Sequence, residues 1–178
     1  LVRSRGLGDV YKRQHIVFLF IYAVRIISDV AIHTTSRNIS EAPLPLSASE
    51  QEVRDALERQ FSHFSQMWER LHEVYHCPII QNNFELPSTR LMGNRDAWDC
   101  HGMVWFIQEL NRKFGQYAAS HSDFYLHDLH YLAASYGLDA WHDDSYWYLY
   151  KYAMTLDAVP EFAYSLTRII RSCLLYTS

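Results

Sequence analysis

Cys77-Pro-Ile-Ile-Gln81, followed by Asn82-Asn-Phe-Glu85, is the stretch that decides the fold. Its β-branched pair reads as a short strand, and the polar run after it as the loop at the strand's carboxyl end. Upstream, Ser49-Glu-Gln-Glu52 reads as a capping box, in which the serine oxygen takes an orphan amide and Glu52 reaches back. From there Val53, Leu57, Phe61, Phe64, Trp68, Leu71 and Val74 or Tyr75 recur every three or four residues, the stripe of one long helix ending near Tyr75. A helix therefore leads directly into a strand.

The same alternation extends in both directions. His15 to Tyr22 is a continuous apolar run suited to a strand buried on both faces, and residues 36–47, with Pro43 and Pro45, form a loop. Pro87 to Asp96 is irregular, with Gly93-Asn94 as a turn signal. Val104, Ile107, Leu110, Phe114 and Tyr117 or Ala118 mark a second helix over 98–120. Phe124 to His127 is a third strand, and a brief helix over 129–136 stops at Gly137. An aromatic segment from Trp141 to Tyr152 precedes a last helix over 156–171. This order predicts an α/β domain with a parallel sheet in three layers. The run at 15–22 is of the central-strand type, so the domain is expected to be truncated at its amino end. Residues 1–14 and 173–178 are read as non-native, adapter-like tails, which leaves 15–172 as a partial domain.

Composition excludes several classes. The net charge of -4 provides no basic footprint for nucleic acid. Three cysteines make no disulfide framework, and Cys77 and Cys100 suit a reducing compartment as small apolar residues. The apolar run at 16–22 falls well short of the roughly 20 residues of a membrane span. No small-residue cleavage site follows it. A cytoplasmic protein, neither secreted nor inserted in a membrane, is expected.

Ligands in open α/β sheets bind outside the carboxyl ends of the strands. Asn82, Asn83 and Glu85 sit at one such end, either to hydrogen-bond a ligand or as a loop stitched by asparagine side chains. His127-Asp-Leu-His130 sits at the next, where Asp128 is a ligand contact or the cap of the following helix. This spacing matches no zinc pattern, and no metal site is expected. Asp139-x-x-His142 has the spacing of the acid–base pair in SGNH-type serine hydrolases, a pattern that also arises by chance; its serine partner would lie on an earlier strand. The aromatics from Trp141 to Tyr152 are expected to pack into the core. Among them Lys151 is placed to pair with Glu85 or with a ligand phosphate.

Taken in order, Pro78-Ile-Ile-Gln-Asn-Asn-Phe-Glu85, Arg90-Leu-Met-Gly-Asn94, Phe106-Ile-Gln-Glu-Leu-Asn111, Tyr125-Leu-His-Asp128, Gly137-Leu-Asp-Ala-Trp141 and Tyr146-Trp-Tyr-Leu-Tyr-Lys151 resemble the amino-terminal domain of FkbH-like proteins, the HAD-IIIC group. The resemblance covers about 16–171 and implies an SGNH/flavodoxin-like domain followed by a HAD domain that opens with Asp-x-Asp. It implies a parent protein that loads a glyceryl-type acyl unit onto an acyl carrier protein, in polyketide or related pathways. Magnesium and an acceptor cysteine would belong to the HAD domain. No Asp-x-Asp occurs in this chain, neither Cys77 nor Cys100 matches the acceptor position, and no cofactor is expected here. The implied partners are the carrier protein and the HAD domain. The competing readings are half of an SGNH esterase or acyltransferase, using Asp139 and His142, and a non-catalytic docking domain.

Overall fold

The computed structural model describes residues 36, 39, 42 and 44–175, with 173–175 described by backbone alone. The strand expected at 15–22, the tail at 1–14 and residues 176–178 lie outside the described residues.

Helix α1 spans Glu50–Tyr75 and opens with the expected capping box. The Glu52 N–H donates to Ser49 Oγ at 3.3 Å, and the Ser49 N–H donates to Glu52 Oε2 at 2.6 Å. The helix ends where His76 turns into the left-handed region at φ 47°. Its buried face carries Val53, Leu57, Phe64 and Trp68; Phe61 and Leu71 flank it half-buried, and Val74 and Tyr75 are exposed.

Two short strands follow, β1 at Ile79–Asn82 and β2 at Phe124–His127. They pair in parallel, in a register that sets Ile79 opposite Phe124 and Asn82 opposite His127. Parallel neighbours need a crossover, and helix α2 (Met103–Ser120) supplies it. The α/β class with a parallel pair is as expected. β1 is displaced slightly from the expected 77–81, and Asn82 belongs to the strand rather than to the loop.

Helix α2 begins at Met103, five residues later than the expected start at 98. Residues 93–97 form a 3₁₀ turn instead. The buried Asp96 carboxylate then caps α2, accepting the Val104 N–H at 2.8 Å. Gly102 presses so closely on this turn that a Cβ there would lie 2.2 Å from the Asp96 carbonyl oxygen. Phe106, outside the expected stripe, is buried beside Ile107 and Leu110.

Trp68 is the hub where α1, α2 and the sheet meet. Its ring centroid lies 4.8 Å from Phe114, 4.7 Å from Tyr117 and 4.6 Å from Phe124. Its indole N–H donates to Gln81 Oε1 at 2.9 Å, so full burial leaves no unpaired donor.

Beyond β2 come α3 (Leu129–Tyr136), α4 (Leu138–Trp141), α5 (Asp144–Tyr150), a 3₁₀ turn at Leu156–Ala158 and α6 (Val159–Leu175). Gly137, at φ 112°, separates α3 from α4 as its position predicts. A second, smaller core gathers Leu129, Leu132, Trp141, Met154 and Ala158. The expectation that the aromatic segment packs inside is corrected here. Trp141 is buried, but Tyr148 and Leu149 are 73% and 71% exposed, and Tyr150 and Tyr152 are also exposed.

Candidate functional site

The carboxyl ends of β1 and β2 converge on a buried polar cluster. The register sets Asn82 beside His127, whose Nδ1 lies 2.8 Å from Asn82 Oδ1. On the ring's far side, Nε2 lies 2.9 Å from Ser165 Oγ on α6. Phe162, one turn earlier on α6, meets the same ring edge-on at 5.2 Å. Burial holds the imidazole neutral and pushes its pKa down to about 4. A neutral ring carries one N–H. Asn82 Oδ1 can only accept, so Nδ1 carries the proton and Nε2 accepts from the Ser165 hydroxyl.

The loop after β1 is stitched as its composition suggests. Asn83 Nδ2 donates to Asp128 Oδ1 at 2.8 Å, and Asn83 Oδ1 accepts the His130 N–H at 2.9 Å. Asp128 also caps α3 by accepting the Tyr131 N–H at 3.2 Å. Asn111 on α2 takes both backbone groups of Phe84, at 2.8 and 2.7 Å. Glu85, fully buried, accepts from the Ser36 N–H and hydroxyl, each at 3.2 Å. Asn82 Nδ2 is buried with no hydrogen-bond partner among the described residues.

Asn83 and Asp128 are thus joined directly, Asn82 is bonded to His127 beside them, and Glu85 is bonded to Ser36. Lys151 is not beside them. It is exposed, caps the end of α5 at φ 60°, and holds its ammonium 5.1 Å from the Trp147 ring. Asp139 is exposed on α4, while His142 Nε2 donates to the Leu86 carbonyl at 3.0 Å. No hydrogen bond joins Asp139 to His142 among the described residues. Each strand-end carboxylate is hydrogen-bonded through one oxygen, Glu85 Oε1 by Ser36 and Asp128 Oδ1 by Asn83 and Tyr131.

His127 lies within the His127-Asp-Leu-His130 run that the sequence singles out, whereas Ser165 escapes a reading by motif. Ser165 does carry a signal, because it stands on the apolar face of its helix three residues after Phe162 and four before Ile169. Ser165, His127 and Asn82 are connected in the manner of nucleophile, base and orienter. The base is poor for that work. A general base performs best with a pKa near the working pH, and His127 at about 4 sits well below neutrality. Its orienter is an uncharged amide, which offers an imidazolium no charge to lean on. The chain of bonds fastens α6 to the strand ends.

Comparison with known proteins agrees with this architecture. A solved structure, the N-terminal part of the protein BF1531 from Bacteroides fragilis, described as containing a phosphatase domain complexed with Mg, superposes with a TM-score of 0.62 at 16% identity. The match covers 79% of this chain and 36% of that one, so the chain spans about a third of its solved neighbour, and at this identity the likeness is one of fold. No curated protein sequence matches. The sequence family described as FkbH, N-terminal domain, matches residues 27–171. By that match the chain belongs to the FkbH N-terminal domain family.

Proposed function

We propose that this chain is the accessory domain of an FkbH-like protein that loads a glyceryl-type acyl unit onto an acyl carrier protein in the cytoplasm, with the chemistry done by a HAD domain elsewhere in the protein. The family match supports the HAD connection, and the solved neighbour's phosphatase domain with magnesium is consistent with it. Magnesium would serve that second domain, since this chain has no Asp-x-Asp. The parallel β1–α2–β2 unit fits an SGNH-like, three-layer sheet completed by further strands.

One observation carries the accessory role: the Ser165–His127–Asn82 chain is oriented by an uncharged amide where a carboxylate would stand, and burial makes its histidine a weak base. The domain's work is then to hold and present partners, the carrier protein and the HAD domain. The test is carrier loading by the full-length parent, followed by intact-protein mass spectrometry. Ser165→Ala and His142→Ala parents should load at rates within about threefold of wild type, and this chain alone should hydrolyse no p-nitrophenyl ester. Ester hydrolysis by this chain that vanishes in His142→Ala would establish the esterase reading instead. Loading that collapses in Ser165→Ala while the parent stays folded would make the strand-end cluster catalytic.

A further inference from the structure

Three metal-ligand side chains meet at the turn before α2, remote in sequence from the strand-end cluster. One carboxylate oxygen of Asp99, Cys100 Sγ and one ring nitrogen of His101 all lie within 4.8 Å of one another. Asp99 Oδ1 is 2.9 Å from His101 Nδ1, and Cys100 Sγ is 3.5 Å from it. A tetrahedral zinc ion, bonded at about 2.0–2.1 Å to nitrogen or oxygen and about 2.3 Å to sulfur, sets its ligand atoms roughly 3.3–3.7 Å apart. The sulfur–nitrogen spacing falls within that range and the oxygen–nitrogen spacing is a few tenths of an ångström shorter.

We propose that Asp99, Cys100 and His101 form a three-ligand site for a borderline-soft divalent cation, with zinc the best match to one sulfur, one nitrogen and one oxygen donor. The fourth position opens onto a cleft of about 550 Å³ that Trp98 and Trp105 help to line. Two ligands are already oriented from behind. His101 Nε2 donates to the Ala48 carbonyl at 2.9 Å, which leaves Nδ1 facing Asp99 and Cys100. A backbone carbonyl on the second ring nitrogen is how metal-bound histidines are held. Arg95 grips the other carboxylate oxygen of Asp99 at 2.7 Å, turning Oδ1 toward the ring.

Charge decides whether a cation is tolerated beside Arg54 and Arg95, with Glu50 the other ionisable group lining the cleft. A zinc ion held by the Asp99 carboxylate, a Cys100 thiolate and a neutral His101 imidazole sums to zero, the thiol proton leaving to solvent on binding, so the filled site places no net charge beside the arginines. The expectation of no metal from sequence rests on the His127-Asp-Leu-His130 spacing, and three consecutive ligands match no zinc spacing either. The turn between the 3₁₀ segment and α2 folds them onto one point.

Cobalt(II) titrated into the full reduced chain tests the site. The expected result is one cobalt per chain with a thiolate-to-cobalt charge-transfer band, displaced by zinc, lost in Cys100→Ser and kept in Cys77→Ser and Cys173→Ser. His101→Gln should weaken binding at least tenfold. No band in the folded wild-type chain, or a band that survives Cys100→Ser, overturns the proposal. If Cys100→Ser does not fold, alkylation decides in the wild type. Zinc should shield Cys100 from iodoacetamide while Cys77 reacts at its metal-free rate, and Cys100 alkylation indifferent to zinc overturns the site.

Discussion

The two sides of the molecule use aromatic residues in opposite ways. Between α1, α2 and the sheet, Phe64, Trp68, Phe84, Phe114 and Phe124 are buried against one another. Beyond β2, the denser run Tyr146-Trp-Tyr-Leu-Tyr150 buries none of its members. The difference is one of spacing. Aromatics three or four residues apart share a helix face, whereas consecutive residues turn by about 100° each and point all round it. A short helix with aromatics at every position can bury few of them. Aromatic content is therefore a poor guide to the core, and aromatic period a good one.

The comparison is broken most directly at Trp68. Trp68→Ala removes the hub and unpairs Gln81 Oε1, and should cost about 3–5 kcal/mol in urea unfolding. A loss under about 1 kcal/mol would show that the hub does not hold the two layers together.

A second test concerns the seam between the two sides, where His127 ties β2 to α6. Its folded pKa of about 4 lies below the ordinary 6.5. The unfolded chain thus binds the proton first. Stability is complete above the unfolded value, and is lost as pH falls from 6.5 toward 4. For this one group, lowering pH from 7 to 5 should cost on the order of 2 kcal/mol. His127→Gln should remove that part of the slope whatever its effect at pH 7. Parallel wild-type and variant slopes between pH 7 and 5 would sink the assignment.

How much of this was legible follows from the range of each contact. The capping box at Ser49, the stop at Gly137 and the strand at Phe124–His127 depend on neighbours a few residues away, and the chain spells them out. The late start of α2 was not legible. Asp96 caps from eight residues upstream, and Gly102 packs on that turn's backbone. At the strand ends, Asn82, Asn83 and Asp128 follow from the rule about carboxyl ends. The bond that organises them, Asn82 to His127, spans 45 residues and exists only once the strand register is set. The Asp139–His142 spacing shows the converse: a pattern visible in sequence, with the histidine instead turned to the Leu86 carbonyl.

Two glycines in and beside α2 sharpen the point about context. At Gly102 a Cβ would meet Asp96 backbone atoms at 2.2 to 2.7 Å, so Gly102→Ala should destabilise by about 1–3 kcal/mol. At Gly115, inside the helix, a Cβ meets nothing within 4 Å, so Gly115→Ala should stabilise by about 0.5–1 kcal/mol. Thermal melts of the two variants should move in opposite directions. Shifts of the same sign would mean that α2 does not start where Gly102 and Asp96 place it.

The smallest effect tests the exposed aromatics themselves. Tyr148 and Leu149 lie on adjacent positions of α5, and both stand in solvent. Substituting serine at both removes large apolar surface that folding does not bury, so stability should change by about 0.5 kcal/mol or less. An apolar side chain buried as Phe114 is buried would lose several times that on the same kind of truncation. The size of the change, not its sign, is therefore the readout. Loss on the scale of a core truncation would mean that the α5 face is covered within the folded chain, and the contrast between the two sides would fail there. A near-zero change leaves period, rather than aromatic content, as what separates a core from a surface in this fold.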